Sequence, residues 1–435
     1  MKKSWKRNLL LTMAGTAALT AGCGAAGTDS QVVQIDMVQY KMEAVDIFEE
    51  LEEKFNATHD NIRLNIDSPN DAMTILKTRF IREDAPDIIG IGGEINYSSF
   101  LDSDMLMNLD DYEGLSTINE SYLKIDKELE FVPKDGVYAV PYVANAAGVL
   151  YNKDLFEEHG WAVPTTWDEF TALCRQIQGE GVLPMFFGFK DTWNCLAPWN
   201  AISVDLAPSD VCSLVNKGET TFTEQYREVA ERALALLEFA QEDPFSYGYN
   251  DACTAFARGE SAMFVIGSYA VPQIQSVNPD INIDTFVFPA SNQAEENVLN
   301  SGIDLQFCVM ADSPNKEAAY EVLDFLLQDE NVQLYLDNQN AVPCKNGNFT
   351  LPGVLDGVAS YIREGKMVDY QDHHYPTEMS VDAMVQTYLM DGNTDVFLEK
   401  FDREWQRYNR DLIIKVQNYE KEQEKKVSEG GAEND

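Results

Sequence analysis

The sequence predicts an α/β fold organised in more than one domain. Strand-like alternation passes directly into helix-like spacing at the start of the folded chain, the same alternation recurs further on, and 413 residues remain beyond an N-terminal leader. Usual domain sizes divide that length into two. Hydrophobic residues make up 45% and aromatic residues 11%. That is enough apolar material for ordinary folded cores, so global disorder is excluded despite the high charge.

The leader comes first. Lys2, Lys3, Lys6 and Arg7 precede an apolar run over 9–21 that ends in Ala21-Gly22, immediately before Cys23. A cationic segment, a short apolar segment and small residues at the cut form a secretory signal over 1–22. The run is too short to span a bilayer, which takes about 20 apolar residues. Cleavage would leave the Cys23 thiol at the new N-terminus, where it can carry a lipid. Residues 23–30 are small and polar and read as a flexible tether.

In "VVQIDMVQY" Val33, Ile35 and Met37 alternate with polar neighbours, which predicts a strand. Val45, Phe48, Leu51 and Phe55 then recur at three- and four-residue steps, which predicts an amphipathic helix. "PDIIGI" (86–91) reads as a buried strand opened by Pro86, and 138–152 as a long extended stretch. Thr166 and Glu169 have capping-box spacing, with Phe170, Leu173 and Ile177 as the inward face of the helix that follows. Ser313 is expected as an N-cap with Pro314 at the first helical position, ahead of an Ala319, Val322, Leu323, Leu326 stripe. Strands alternating with helices predict largely parallel sheets. Residues 421–435 read as a charged tail with a frayed end.

The formal net charge is −41, and −45 once the four leader cations are gone. This excludes nucleic acid as a partner, since such binding needs clustered Lys and Arg, and it disfavours anionic ligands. Beyond Cys23 the six cysteines at 174, 195, 212, 253, 308 and 344 form no CxxC pair and no zinc spacing with histidine. Buried free thiols are expected, with no metal and no cofactor. His373-His374 reads as solvated surface, and Trp161, Trp167, Trp199 and Trp405 as packing residues.

Residues 140–170, "VPYVANAAGVLYNKDLFEEHGWAVPTTWDEF", together with "PDII", "FARGESAMFVIGSY" (256–269) and "SGIDLQFCVMADSPNKEAAYEVLDFL" (301–326), carry a family resemblance. In order and spacing they resemble the bacterial extracellular solute-binding proteins of ABC importers, in the sugar-binding branch of maltose-binding-protein-like receptors. The resemblance implies a two-lobe periplasmic-binding-protein-like α/β fold hinged by crossing segments near 144–146, 300–302 and 345. The lobes would comprise 31–144 with 301–345, and 145–300 with 346–420. It implies a monomer that captures a mono- or oligosaccharide between the lobes and delivers it to the permease subunits. A lipid on Cys23 would tether it to the outer face of the cell membrane.

In open α/β sheets the ligand crevice lies past the carboxyl ends of strands. Tyr40 and Glu43 follow the first strand, and Glu94 follows "PDIIGIGG". The resemblance places Asn145 at the first crossing and Gly302 and Asp304 at the second. It presents Trp193 and Tyr269 as aromatic rings, with Asp382 from the closing segment. These types suit a sugar, whose C–H face packs on an aromatic ring while its hydroxyls meet carboxylates and amides. Two other readings remain open on the same residues: a receptor for a non-sugar solute such as a polyamine, and a cell-surface carbohydrate-active enzyme using paired carboxylates. No nucleophile elbow, zincin motif or P-loop is present in the sequence.

Overall fold

The computed structural model describes residues 32–430; the leader, Cys23, the tether and the last five residues lie outside them. Among the described residues twelve strands are formed, in chain order β1 (Val33–Gln39), β2 (Ile62–Asp67), β3 (Ile88–Ile91), β4 (Val140–Ala144), β5 (Ala147–Asn152) and β6 (Leu183–Met185). The rest are β7 (Ser261–Gly267), β8 (Ile283–Phe286), β9 (Leu299–Asn300), β10 (Ile303–Val309), β11 (Val342–Pro343) and β12 (Met367–Val368). They make two sheets. The first has the order β11-β4-β10-β3-β1-β2, and the second β12-β9-β5-β7-β6 with β8 beside β5.

The chain passes from the first sheet to the second at 145–146, returns at 301–302, and leaves again between β11 and β12. Each sheet is therefore assembled from separated stretches of sequence. The two upper crossings lie side by side, with Asn145 N–H donating to Gly302 O at 3.2 Å and Ser301 Oγ donating to Asn145 O at 2.7 Å.

Largely parallel sheets do not form. β1 runs parallel to β2 and β3, but β10 is antiparallel to β3 and β4, and β5 is antiparallel to β7, β8 and β9. The cause is the connectivity. β4 leads out of the first sheet and β10 leads back in, so two neighbours joined through the other sheet run in opposite directions.

The helix Val45–Thr58 covers the first sheet because its Phe48, Leu51 and Phe55 stripe is fully buried. Phe48 meets Tyr335 edge-on at 5.7 Å and Phe55 meets Phe325 at 5.3 Å. Such pairs each add about 0.5–1.5 kcal/mol beyond area burial. On the second sheet Trp199, Phe222, Phe401 and Trp405 form one aromatic cluster. Trp161 is buried there as well, and Trp167 packs against that core. All six described cysteines are buried and unpaired.

Two local expectations change. Asn315, not Ser313, precedes the helix Lys316–Leu326, because the Ser313 hydroxyl donates to Asp87 Oδ1 at 2.6 Å and is drawn toward the loop before β3. Thr166 caps the helix Trp167–Gly179 as its spacing requires, but the Glu169 carboxylate returns to Thr165 N–H at 2.8 Å, one residue upstream. Residues 421–430 continue the helix Arg410–Gly430, and the end expected to fray, 431–435, lies outside the described residues.

Candidate functional site

Between the two sheets lies a cavity of about 390 Å³ lined by Lys41, Glu43, Asn145, Tyr249, Tyr269 and Asp304, among others. Its floor comes from the ends of β1 and β10. Gln39, buried at the end of β1, donates through Nε2 to Lys41 O at 2.8 Å and shapes the turn that follows. That turn sends the Lys41 side chain inward, where it is buried. Its ammonium donates to both Asp304 oxygens, at 3.0 and 2.9 Å, and reaches Glu43 Oε1 at 2.7 Å. Burial alone would push the Lys41 ammonium down, but Asp304 and Glu43 outweigh it and hold it above the usual lysine value. Burial raises the Glu43 carboxyl and Lys41 lowers it, with a net downward shift. Tyr40 donates its hydroxyl to Asp304 O at 2.6 Å. Asn145 Nδ2 approaches Asp304 Oδ1 at 3.4 Å, while Asn145 Oδ1 is buried with no hydrogen-bond partner.

The opposite wall is aromatic. Trp193, 42% exposed, stands 5.0 Å from Tyr249 and 6.4 Å from Tyr269 between ring centroids. Asp382 accepts from Thr192 Oγ1 beside it, and Asn194 Nδ2 donates to Gly188 O at 3.0 Å; both fix the turn carrying Trp193. The Asp191 carboxylate accepts from Tyr249 N–H at 2.8 Å and joins the two rings' segments. Tyr269 folds back over Gly267, where a Cβ would stand 2.3 Å from its ring.

A third group comes from the segment after β12. Tyr370 stacks on His373 at 4.9 Å, and His373 Nδ1 lies 2.8 Å from Asp369 Oδ1. These histidines are not solvated surface. The His373 side chain is 21% exposed and that of His374 13%, because the segment presses against the second crossing. Gly302 is where it presses: a Cβ there would stand 2.3 Å from Asp369 Oδ1 and 2.6 Å from His373 Cε1. Glu94 faces this group from the end of β3, donated to by Asn96 Nδ2 at 2.6 Å, and burial pushes its carboxyl up.

Tyr40, Glu43, Asn145, Tyr269 and Asp304 thus converge with Trp193, while Glu94 and Gly302 meet the third group and Asp382 supports the Trp193 turn. Sequence reasoning missed Lys41, Tyr249, Tyr370, Asp372 and His373. Only the rule that sites lie past strand ends pointed near Lys41. Among the described residues no group of three or more His, Cys, Asp or Glu is arranged to hold a metal ion, and no helix is long and apolar enough to cross a membrane.

The profile of the bacterial extracellular solute-binding protein family matches residues 42–333. The multiple sugar-binding protein of Streptococcus mutans is 25% identical over 386 residues, covering 86% of this chain and 89% of that protein. In structure the apo form of RafE from Streptococcus pneumoniae superposes with a TM-score of 0.76 at 22% identity, covering 87% of this chain and 98% of that one. RafE in complex with raffinose gives 0.69 at 23% identity over 86% and 98%. With two α/β sheets, three passages between them and a lined cavity in the gap, the chain belongs to the bacterial extracellular solute-binding protein family.

Proposed function

We propose that this protein is the sugar receptor of an ABC importer, taking an oligosaccharide between its two sheet-based lobes and presenting it to the membrane permease. One observation carries the reading: two aromatic rings, Tyr249 and Tyr269, line one cavity with Asp304, Glu43 and Asn145, and the half-exposed Trp193 packs against both rings. A sugar ring offers one apolar face and a hydroxyl rim, and this cleft offers a surface for each. The relatives support the solute class, being a multiple sugar-binding protein and a raffinose-bound RafE.

Lys41 weighs against the polyamine reading, because an ammonium already pairs with Asp304 and Glu43 at the floor. It weighs equally against a glycosidase. That chemistry needs an acid and a base free to exchange protons, and Asp304 is held by two bonds from Lys41. The receptor reading includes no catalysis, no cofactor, a lipid on Cys23 and lobes divided at the three crossings.

Thermal unfolding and calorimetry against raffinose, stachyose and spermidine test it. A sugar at 100 times its dissociation constant is expected to add about 2.7 kcal/mol of stability and to be recovered intact. Trp193→Ala and Tyr269→Ala are each expected to weaken that sugar by about 1–3 kcal/mol, the worth of a buried aromatic contact. Binding of spermidine with no sugar bound would sink the reading.

A further inference from the structure

We propose that Tyr370, Asp372 and His373 form an inner subsite that reads two adjacent hydroxyls on the terminal unit of the bound sugar, with Glu94 closing on it from the first sheet. The inference rests on the sugar reading above and names the part of the ligand that this end of the cleft selects.

The first ground is unpartnered polarity. Tyr370 is 6% exposed and its hydroxyl has no hydrogen-bond partner; Asp372 Oδ1 and Asn145 Oδ1 are likewise buried and unpartnered. Buried polar atoms are nearly always bonded, and leaving one bare costs about 1–3 kcal/mol. Tyr370 and Asp372 interact electrostatically with Tyr269 of the cavity lining, so these bare groups lie beside the cleft, where a ligand can supply their partners.

The second ground is a fixed donor among those acceptors. The His373 ring is held flat on Tyr370, with 29° between the planes, and Nδ1 is bonded to Asp369. Nε2–H is therefore the remaining donor. Burial pushes the imidazolium down, but Asp369, Asp372 and Glu94 outweigh it and raise the pKa to about 9. His374 is the other titratable group at hand; burial drives its pKa below the usual histidine value. A cation beside a bare carboxylate oxygen suits a vicinal diol, in which one hydroxyl donates to Asp372 and its neighbour accepts from Nε2–H. Asp372 and Glu94 repel an anionic group placed there, and His373 repels a cationic one.

The third ground is close packing. Gly302 admits the segment, since a Cβ would stand 2.7 Å from Tyr370 Cδ2 as well as against Asp369 and His373. The subsite is seated on the crossing itself, so it and Glu94 come together when the gap closes.

Calorimetry on the full protein uses whichever of raffinose, stachyose and diacetylchitobiose the parent binds tightest. His373→Gln is expected to weaken it at least tenfold at pH 7. Parent affinity is expected to fall between pH 8 and 10 as the imidazolium loses its proton. His373→Gln should lack that fall, and Asp369→Asn should move it at least one unit lower. Tyr370→Phe removes a single oxygen, so it should melt with the parent yet bind at least threefold more weakly. Affinity within twofold of the parent for His373→Gln or Tyr370→Phe, or an unchanged pH fall in His373→Gln, would overturn the subsite while leaving the sugar reading intact. If no sugar binds the parent, the sugar reading itself fails.

Discussion

Lys41 sets the electrostatics of the cleft floor. Its side chain is 8% exposed, as against 14% for Asp304 and 59% for Glu43, so the Lys41–Asp304 pair is the buried one. Removing one partner of such a pair leaves an uncompensated charge and costs about 3–5 kcal/mol, whereas replacing both by apolar groups is often close to neutral. Lys41→Met is therefore expected to lower unfolding stability in urea by about 3–5 kcal/mol, and the Lys41→Met/Asp304→Leu double variant to recover most of it. A double variant no more stable than the single would show that the two side chains are not coupled. Sequence reasoning reached Tyr40, Glu43, Asn145 and Asp304 because each lies past a strand end or at a crossing. It did not reach Lys41, since a lone lysine in a turn reads as surface and only Gln39's brace turns it inward. Tyr370, Asp372 and His373 were equally hidden. What places Tyr370 and His373 is close packing on Gly302, about seventy residues earlier in the chain, and Asp372 lies between them in sequence.

At the scale of elements, β5 is the strand on which the second sheet depends, pairing with β7, β8 and β9. Gly148 is what lets β8 approach, for a Cβ there would stand 2.4 Å from Phe286 O. Gly148→Ala is expected to destabilise by about 1–3 kcal/mol, the range for overpacking. Gly179, at the end of the helix Trp167–Gly179, meets nothing within 4 Å, so Gly179→Ala should stabilise by about 0.5–1 kcal/mol through lost unfolded-state freedom. Denaturant midpoints measured on both variants check the pair, and a neutral Gly148→Ala would contradict the strand spacing. Periodicity made β1, the helix Val45–Thr58 and the helix Trp167–Gly179 legible, because an element's buried face is written in its own residues. Strand direction was not legible. The family resemblance put a crossing near 144–146, but the periodicity of "YVANAAGVLYN" does not divide its two halves between sheets, and only that division makes β10 antiparallel to β4. Ser313 failed for a related reason, since its hydroxyl is drawn away by Asp87, distant in sequence.

At the scale of the whole molecule, the proposed function requires the gap between the sheets to narrow around its ligand. Trp193, Tyr249 and Tyr269 stand with the second sheet, and Tyr40, Lys41, Glu94 and Asp304 with the first, so neither half alone encloses a solute. The first two crossings are held to each other by the Asn145–Gly302 and Ser301–Asn145 bonds, which a rotation of the halves can preserve. Away from the crossings, Lys415 reaches from one half to Asp102 on the other, with side chains 44% and 30% exposed. An exposed pair of this kind is worth about 0–1 kcal/mol, too little to lock an arrangement. A single compact body of this length has a radius of gyration of about 22 Å. The ligand-free protein is expected to exceed that value in small-angle scattering, and a saturating sugar should bring it down. A scattering curve unchanged by a sugar that calorimetry shows to be bound would place the whole site within one half. The facing of the rings by the Lys41 floor would then be a feature of packing alone.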